Sequence, residues 1–370
     1  MRLFKNVRRG CCGSRVVIGY ILLAVTISLA VVGMAGAASE PKTVAEIALY
    51  QGPDREKMLI EGAKKEAQLT FYNSHTGFRT VAQEFEKKYP FINVSEWRSE
   101  SKELFKRVME EYAAGRFLVD VVETTDLMAF LQREGILQEY YSPHMLYYGD
   151  EYKAKGKTGV YYLADREIYI GLGFNTEHVP LAEAPKSLKD LLDPRWKGKM
   201  SITGTKTGTT WLGNALEVMG RDFIEKLSHQ DVKVQNISGA ALAGLVASGE
   251  VPLSPSIFRD NIFVAKKKGA PVEWRPLEPV VTNIGCSGIT TKAPHPYAAL
   301  LFLDYLHSKE GQQVVMKSGP SSPRGDMGSM GSLETKFKKT IWESKYSPEE
   351  FEKKFTEWEN LLRKLFIKGK

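Results

Sequence analysis

From residue 69 onward, short apolar runs alternate with amphipathic stretches, and few folds accommodate that order. "LTFYN" (69–73) reads as a strand, and the next segment carries Phe78, Val81, Ala82 and Phe85 at helical spacing before Pro90. "INVSEW" (92–97) is a second strand. "SKELFKRVMEEYAAG" is a helix with Leu104, Val108 and Met109 inward and Gly115 just past its end. "VDVVE" (119–123) and "TDLMAFLQREG" (125–135) repeat the pair. The β-α-β-α-β order predicts an α/β fold with a mixed sheet and helices on both faces.

The middle breaks the rhythm. "GVYYLA" (159–164) and "IYIGLGFN" (168–175) are two apolar strands with no helix between them. A strand at 199–203, a helix from "TTWLGNALEVMG", and strand, helix and strand from "KVQN" through "ISGAALAGLVASGEVPL" follow. Ser238 is the expected N-cap of that helix and Gly249 its C-cap. "VVTNIGCSGITT" (280–291) is strand-like, and "PHPYAALLFLDYLHSKEG" is a helix opening on proline. The stretch 333–370 reads as mostly helical, with "SPEEFEKKF" as a helix start.

The first 37 residues lie outside this pattern. A basic start (Arg2, Lys5, Arg8, Arg9, Arg15) precedes an uncharged run at 16–33 and then "AGA" at 35–37. This predicts a secretory signal cleaved after Ala37 and a periplasmic protein. An uncleaved anchor is the rival, because the run is near the minimum for a membrane span. Without those five basic residues the chain has 46 basic and 44 acidic side chains, a net of +2 instead of +7. That balance, with no dense basic stripe, argues against nucleic acid as a partner. Cys286 is then the only cysteine, so no internal disulfide is expected.

Three strand-to-helix junctions look alike: Ser74, His75 and Thr76; Thr124, Thr125 and Asp126; and the threonine-rich "SITGTKTGTTW", 201–211. Ligands bind open α/β sheets at the carboxyl ends of strands, where helix N-termini offer free N–H groups and a positive dipole end. Each junction alone could be only a cap. Together they predict a site for a small anionic ligand. Gly204 and Gly208, four apart with Lys206 between them, do not make a Walker A loop. "GLGFN" (171–175) lacks the third glycine of a dinucleotide fingerprint. There is no G-x-S-x-G and no H-E-x-x-H, and the six histidines show no metal-ligand spacing, so neither an enzyme nor a cofactor is expected.

With these residues in place the chain resembles the periplasmic solute-binding proteins of ABC importers, in the two-lobed type II group that includes the ferric-iron-binding proteins. The resemblance covers most of 65–325 and rests on "LTFYNSHTG", "VDVVETTDLMAFLQREGIL", "LGFNTEHV", "LKDLLDPRWKGKM" and "GLVASGEVPL". It implies two α/β lobes joined by crossing strands, solute capture by lobe closure, a membrane permease and ATPase as partners, and no catalysis. The expected organisation is a signal peptide at 1–37, a first lobe at 40–165, a second at 166–286, and a return to the first with C-terminal helices at 287–370. A monomer is expected.

Ferric-binding relatives hold iron with two adjacent tyrosines after the "GEVPL"-type strand, but here "SPSIFRDN" follows, and no tyrosine occurs between Tyr169 and Tyr297. The expected solute is therefore an anion: an organic acid, a phosphonate or phosphate ester, or a chelated metal. The expected contacts are Ser74, His75, Thr76, Thr124 and Thr125 on one side, Arg166 in the crossing segment, and Thr205, Lys206, Thr207, Ser256 and Arg259 on the other side. An alternative gives the family iron, with His75 and Glu123 as partial ligands completed by an exogenous anion. Readings from another class are a secreted hydrolase and an anchored sensor domain.

Overall fold

The computed structural model describes residues 43–125, 127–327, 338–341, 346 and 348–367. The signal segment 1–37 and Asp126 lie outside the described residues.

Two short helices lead in, α1 (Val44–Leu49) and α2 (Arg55–Glu66). The predicted β-α-β-α-β unit follows as β1 (Gln68–Asn73), α3 (Phe78–Lys88), β2 (Asn93–Arg98), α4 (Ser101–Ala113), β3 (Val121–Thr124) and α5 (Met128–Arg133). β1 pairs in parallel with both β2 and β3. Gly115 and Gly135 sit past α4 and α5 at φ of 67° and 69°, a backbone region that a side chain would strain.

The two apolar runs at 159–175 are one continuous strand, β5 (Val160–Asn175), preceded by its short antiparallel partner β4 (Lys153–Lys155). The intervening Asp165, Arg166 and Glu167 looked like a break between strands. They stay in the ladder because their side chains find partners inside the protein. After β5 come β6 (Ser201–Thr203), α6 (Lys206–Met219), α7 (Arg221–Ser228), β7 (Lys233–Gln235), α8 (Gly239–Ala247), β8 (Leu253–Phe258), α9 (Arg259–Lys267) and β9 (Val272–Arg275). The Ser238 hydroxyl accepts from Ala241 N–H at 3.2 Å as α8's cap, and Gly249 follows at φ 81°. The chain continues through β10 (Val280–Ile289), α10 (Pro296–His307) and α11 (Lys309–Lys317). It ends with β11 (Lys339–Ile341) and α12 (Pro348–Phe366).

β5 and β10 run antiparallel and link two hydrophobic centres. The early part of β5 puts Val160, Leu163 and Ala164 among the residues packed around β1–β3, α3 and α10. Its later part puts Ile170, Leu172 and Phe174 into a second centre with Trp211, Leu212 and Leu253. β10 does the same in reverse, with Val281 in the second centre and Ile284, Cys286 and Ile289 in the first group. This is the two-lobed α/β architecture, with strands crossing between lobes. β8 and β9 both pair with β5, while β6 and β7 pair with each other and touch β8 through a bridge at Met200 and Leu253.

The C-terminal region departs from expectation once. The described part of 333–370 is mostly one helix, as the sequence predicts, and adds a short strand, β11, parallel to β10. That helix, α12, was grouped with the first lobe but packs on the second. Its Trp358, Leu361, Leu362 and Phe366 join Trp211, Phe223 and Leu227 of α6 and α7. Gly213 makes the fit possible: a Cβ there would lie 2.2 Å from the Trp358 ring.

Candidate functional site

The three junctions fall at ends of β1, β3 and β6, as the alternation requires. At the third, Thr205 is the N-cap residue of α6. The hydroxyl that caps the helix start is that of Thr203 at the strand end. It accepts from Gly208 N–H at 2.9 Å and from the Thr205 hydroxyl at 3.1 Å. The helix start is pressed so closely on the strand that a Cβ on Gly208 would be 1.9 Å from the Thr203 carbonyl oxygen. Thr209 and Thr210 are buried, Thr205 and Thr207 half-buried, and Lys206 exposed.

A cavity of about 730 Å³ brings together Thr125 of the β3–α5 junction and Lys206 of the β6–α6 junction. β10 contributes Ile284 and Cys286, so the crossing strand forms part of its wall. Lys102 and Phe105 come from the first two turns of α4, and Tyr152 and Tyr162 from the β4–β5 hairpin region. Its volume lies within the usual range for small-molecule sites. The Thr125 hydroxyl lies 3.4 Å from that of Ser101 at the start of α4. Asp150, Glu151 and Glu352 also reach the cavity. Asp150 is engaged by Lys153 at 3.4 Å and Lys155 at 2.6 Å.

Other candidates are held elsewhere. Arg166 is 2% exposed and does not open on the cavity. Its guanidinium donates to Glu123, to Asp165 at 3.1 Å and to the Ser74 hydroxyl at 3.4 Å, and it packs over the Phe78 ring. Ser74 N–H donates to Glu123 at 2.7 Å. Glu123, the expected partial metal ligand, is therefore fully buried and committed to Arg166 and Ser74. Burial and the adjacent Glu123 carboxylate push Asp165 well above the usual carboxylate range. Gly285 leaves the space for the guanidinium, since a Cβ would lie 1.9 Å from Arg166 Nη1. Ser256 is also corrected: it is 0% exposed, and its hydroxyl accepts from Thr203 N–H at 3.2 Å, tying β8 to β6. Thr124, the last residue of β3, is fully buried and pairs with Cys286 of β10.

His75 and Arg259 form a separate contact between the halves. His75 Nδ1 accepts from Gly77 N–H at 3.1 Å, and its Nε2 lies 3.9 Å from the Asp260 carboxylate. Arg259 donates to the Gly319 carbonyl at 2.6 Å and the Ser321 hydroxyl at 3.3 Å, just after α11. Thr76 is exposed beside His75. The structure thus divides the expected site into an open cavity, a buried ion cluster and an interlobe contact. Among the described residues no group of three or more His, Cys, Asp or Glu side chains is placed to hold a metal ion.

The sequence reading missed the aromatic walls. Phe351 and Phe355 of α12 line the cavity, as do Phe105 and Phe130. The signal was present in "SPEEFEKKF", where two phenylalanines four apart share a face with Trp358.

A family model described as bacterial extracellular solute-binding protein matches residues 118–343. An uncharacterized protein of Haemophilus influenzae is 30% identical over 275 residues, covering 70% of this chain and 78% of that one. Among solved structures, iron-bound HitA from Pseudomonas aeruginosa superposes with a TM-score of 0.65 at 19% identity, covering 80% of this chain and 98% of that one. AfuA from Actinobacillus pleuropneumoniae, with exogenous fructose-6-phosphate bound, gives 0.63 at 23% identity, covering 82% of this chain and 99% of that one.

Proposed function

Because this chain belongs to the family of bacterial extracellular solute-binding proteins, we propose that it captures a small anionic solute in the cavity between Thr125 and Lys206 and delivers it to an ABC importer. The observation that carries this reading is the cavity itself. It joins two strand-to-helix junctions from opposite lobes beside the crossing strand β10, where hinge closure would grip a solute. Lys102 and Lys206 lie in the first turns of α4 and α6, so two ammonium groups and two positive dipole ends serve one cavity. A neighbour with a sugar phosphate bound supports the anion class. The role implies export with cleavage after Ala37, action as a monomer, and a permease and ATPase as partners. Lobe one would comprise 40–165 with the return after 286, and lobe two 166–286 with α12 docked on it.

The iron alternative retains His75, now with Asp260, whose Oδ1 is buried without a hydrogen-bond partner. Thermal denaturation with phosphate esters, organic acids and ferric citrate separates the two readings. A bound anion at a hundred times its Kd adds about 2.7 kcal/mol of stability. Stabilisation by simple anions that is roughly halved in Lys206→Ala at the same anion concentration is the expected result. Stabilisation by ferric salts alone, lost in His75→Ala, would overturn it.

A further inference from the structure

We infer that α12 is a wall of the solute cavity, and that Phe351 and Phe355 select solutes in which the anionic group is attached to an apolar ring. This rests on the cavity reading above. The family match ends at residue 343, before α12 begins at Pro348, so the wall lies outside the matched segment.

The helix has two functional halves. Its later half is fixed, because Trp358 and Leu362 are almost fully buried against the second lobe. Its earlier half extends past the start of α6, placing the Phe351 ring 6.0 Å from the Lys206 ammonium. Tyr346 donates to Glu217 of α6, and Glu349 pairs with Arg133 of α5 on the first lobe. The first turn of α12 is therefore tied to both sides of the cavity. Phe351 and Phe355 remain half-buried there, with ring centres 6.2 Å apart. Phe105 and Phe130 line the same cavity from the first lobe as an edge-to-face pair, also 6.2 Å apart. Two aromatic pairs with lysines at helix starts suit a ring-bearing carboxylate or phosphate, since rings stack on such surfaces while the lysines take the charge. A sugar would bring hydroxyls that phenylalanines cannot satisfy.

Titration calorimetry of the full chain lacking residues 1–37 tests this with phenyl phosphate, glucose 6-phosphate and inorganic phosphate. Phenyl phosphate should bind at least tenfold more tightly than glucose 6-phosphate. The Phe351→Ala/Phe355→Ala double variant should abolish that preference and leave inorganic phosphate affinity unchanged. Phe351→Leu/Phe355→Leu, which keeps apolar volume, is the check on folding and should lose part of the preference. Equal or tighter binding of glucose 6-phosphate, or a preference that survives the double alanine variant, overturns the assignment of α12 while leaving anion capture intact. Binding of none of the three overturns both.

Discussion

Arg166 and Lys206 are both cations beside the strand-to-helix junctions, but their surroundings are opposite. Arg166 is sealed under β10 with Glu123 and Asp165, and both of its terminal guanidinium nitrogens are engaged. Lys206 stands exposed at the first turn of α6 with an open cavity beside it. A charge that is neutralised and desolvated within the protein holds the fold together. A charge that lines an open cavity can meet a ligand there. The side-chain type does not decide between these roles; the partners do.

The sharpest test of the contrast is stability. Arg166→Met leaves Glu123 and the neighbouring Asp165 buried without their cation, which should cost about 3–5 kcal/mol. Lys206→Met should change stability by less than about 0.5 kcal/mol, as exposed substitutions do. Thermal melts of the two variants check this, and equal melting temperatures would break the comparison.

His307 extends the sealed class to a titrating group. It is fully buried near the Tyr140 and Ser287 hydroxyls, and burial, aided by His144 and Arg324, lowers its pKa to about 3. The unfolded chain takes up that proton near pH 6.5, so it binds more protons than the native state below that pH. Stability contributed by neutral His307 is fully present above pH 6.5 and falls as the solution is acidified toward pH 3. The loss at pH 4.5 is about 3 kcal/mol. Denaturant midpoints at pH 7 and 4.5 should diverge less in His307→Gln than in the native sequence. An unchanged difference would remove His307 from this class.

The smallest effect belongs to the open side. Lys206→Ala should weaken anion binding about tenfold, equivalent to roughly 1.4 kcal/mol, with little change in melting temperature. Calorimetric titration with phosphate esters measures it, and a matching loss in Arg166→Lys, if that variant folds, would blur the distinction.

Much of the fold was legible because its signals are local. The α3 stripe of Phe78, Val81, Ala82 and Phe85 is buried as its spacing requires, and Ser238 caps α8. Other features were hidden for a common reason. Glu123 and Arg166 are 43 residues apart, and Thr203 and Ser256 are 53 apart. Their side chains look like cleft donors until the chain closes over them. The run through Asp165, Arg166 and Glu167 looked like a break in β5 because the buried partners of these residues lie on other elements. The docking of Trp358 over Gly213 joins parts of the chain that share no local pattern.

The sequence by itself determined the alternation of strands and helices, the caps, and the junctions at strand ends, because hydrophobic period and backbone chemistry act over a few residues. Only the tertiary structure decided which polar groups are enclosed and which line a cavity. It sealed Arg166, Glu123 and Ser256, left Thr125 and Lys206 at a cavity, and brought α12 to its edge. Solvation depends on what packs against a side chain, and in this protein the decisive neighbours come from distant parts of the chain.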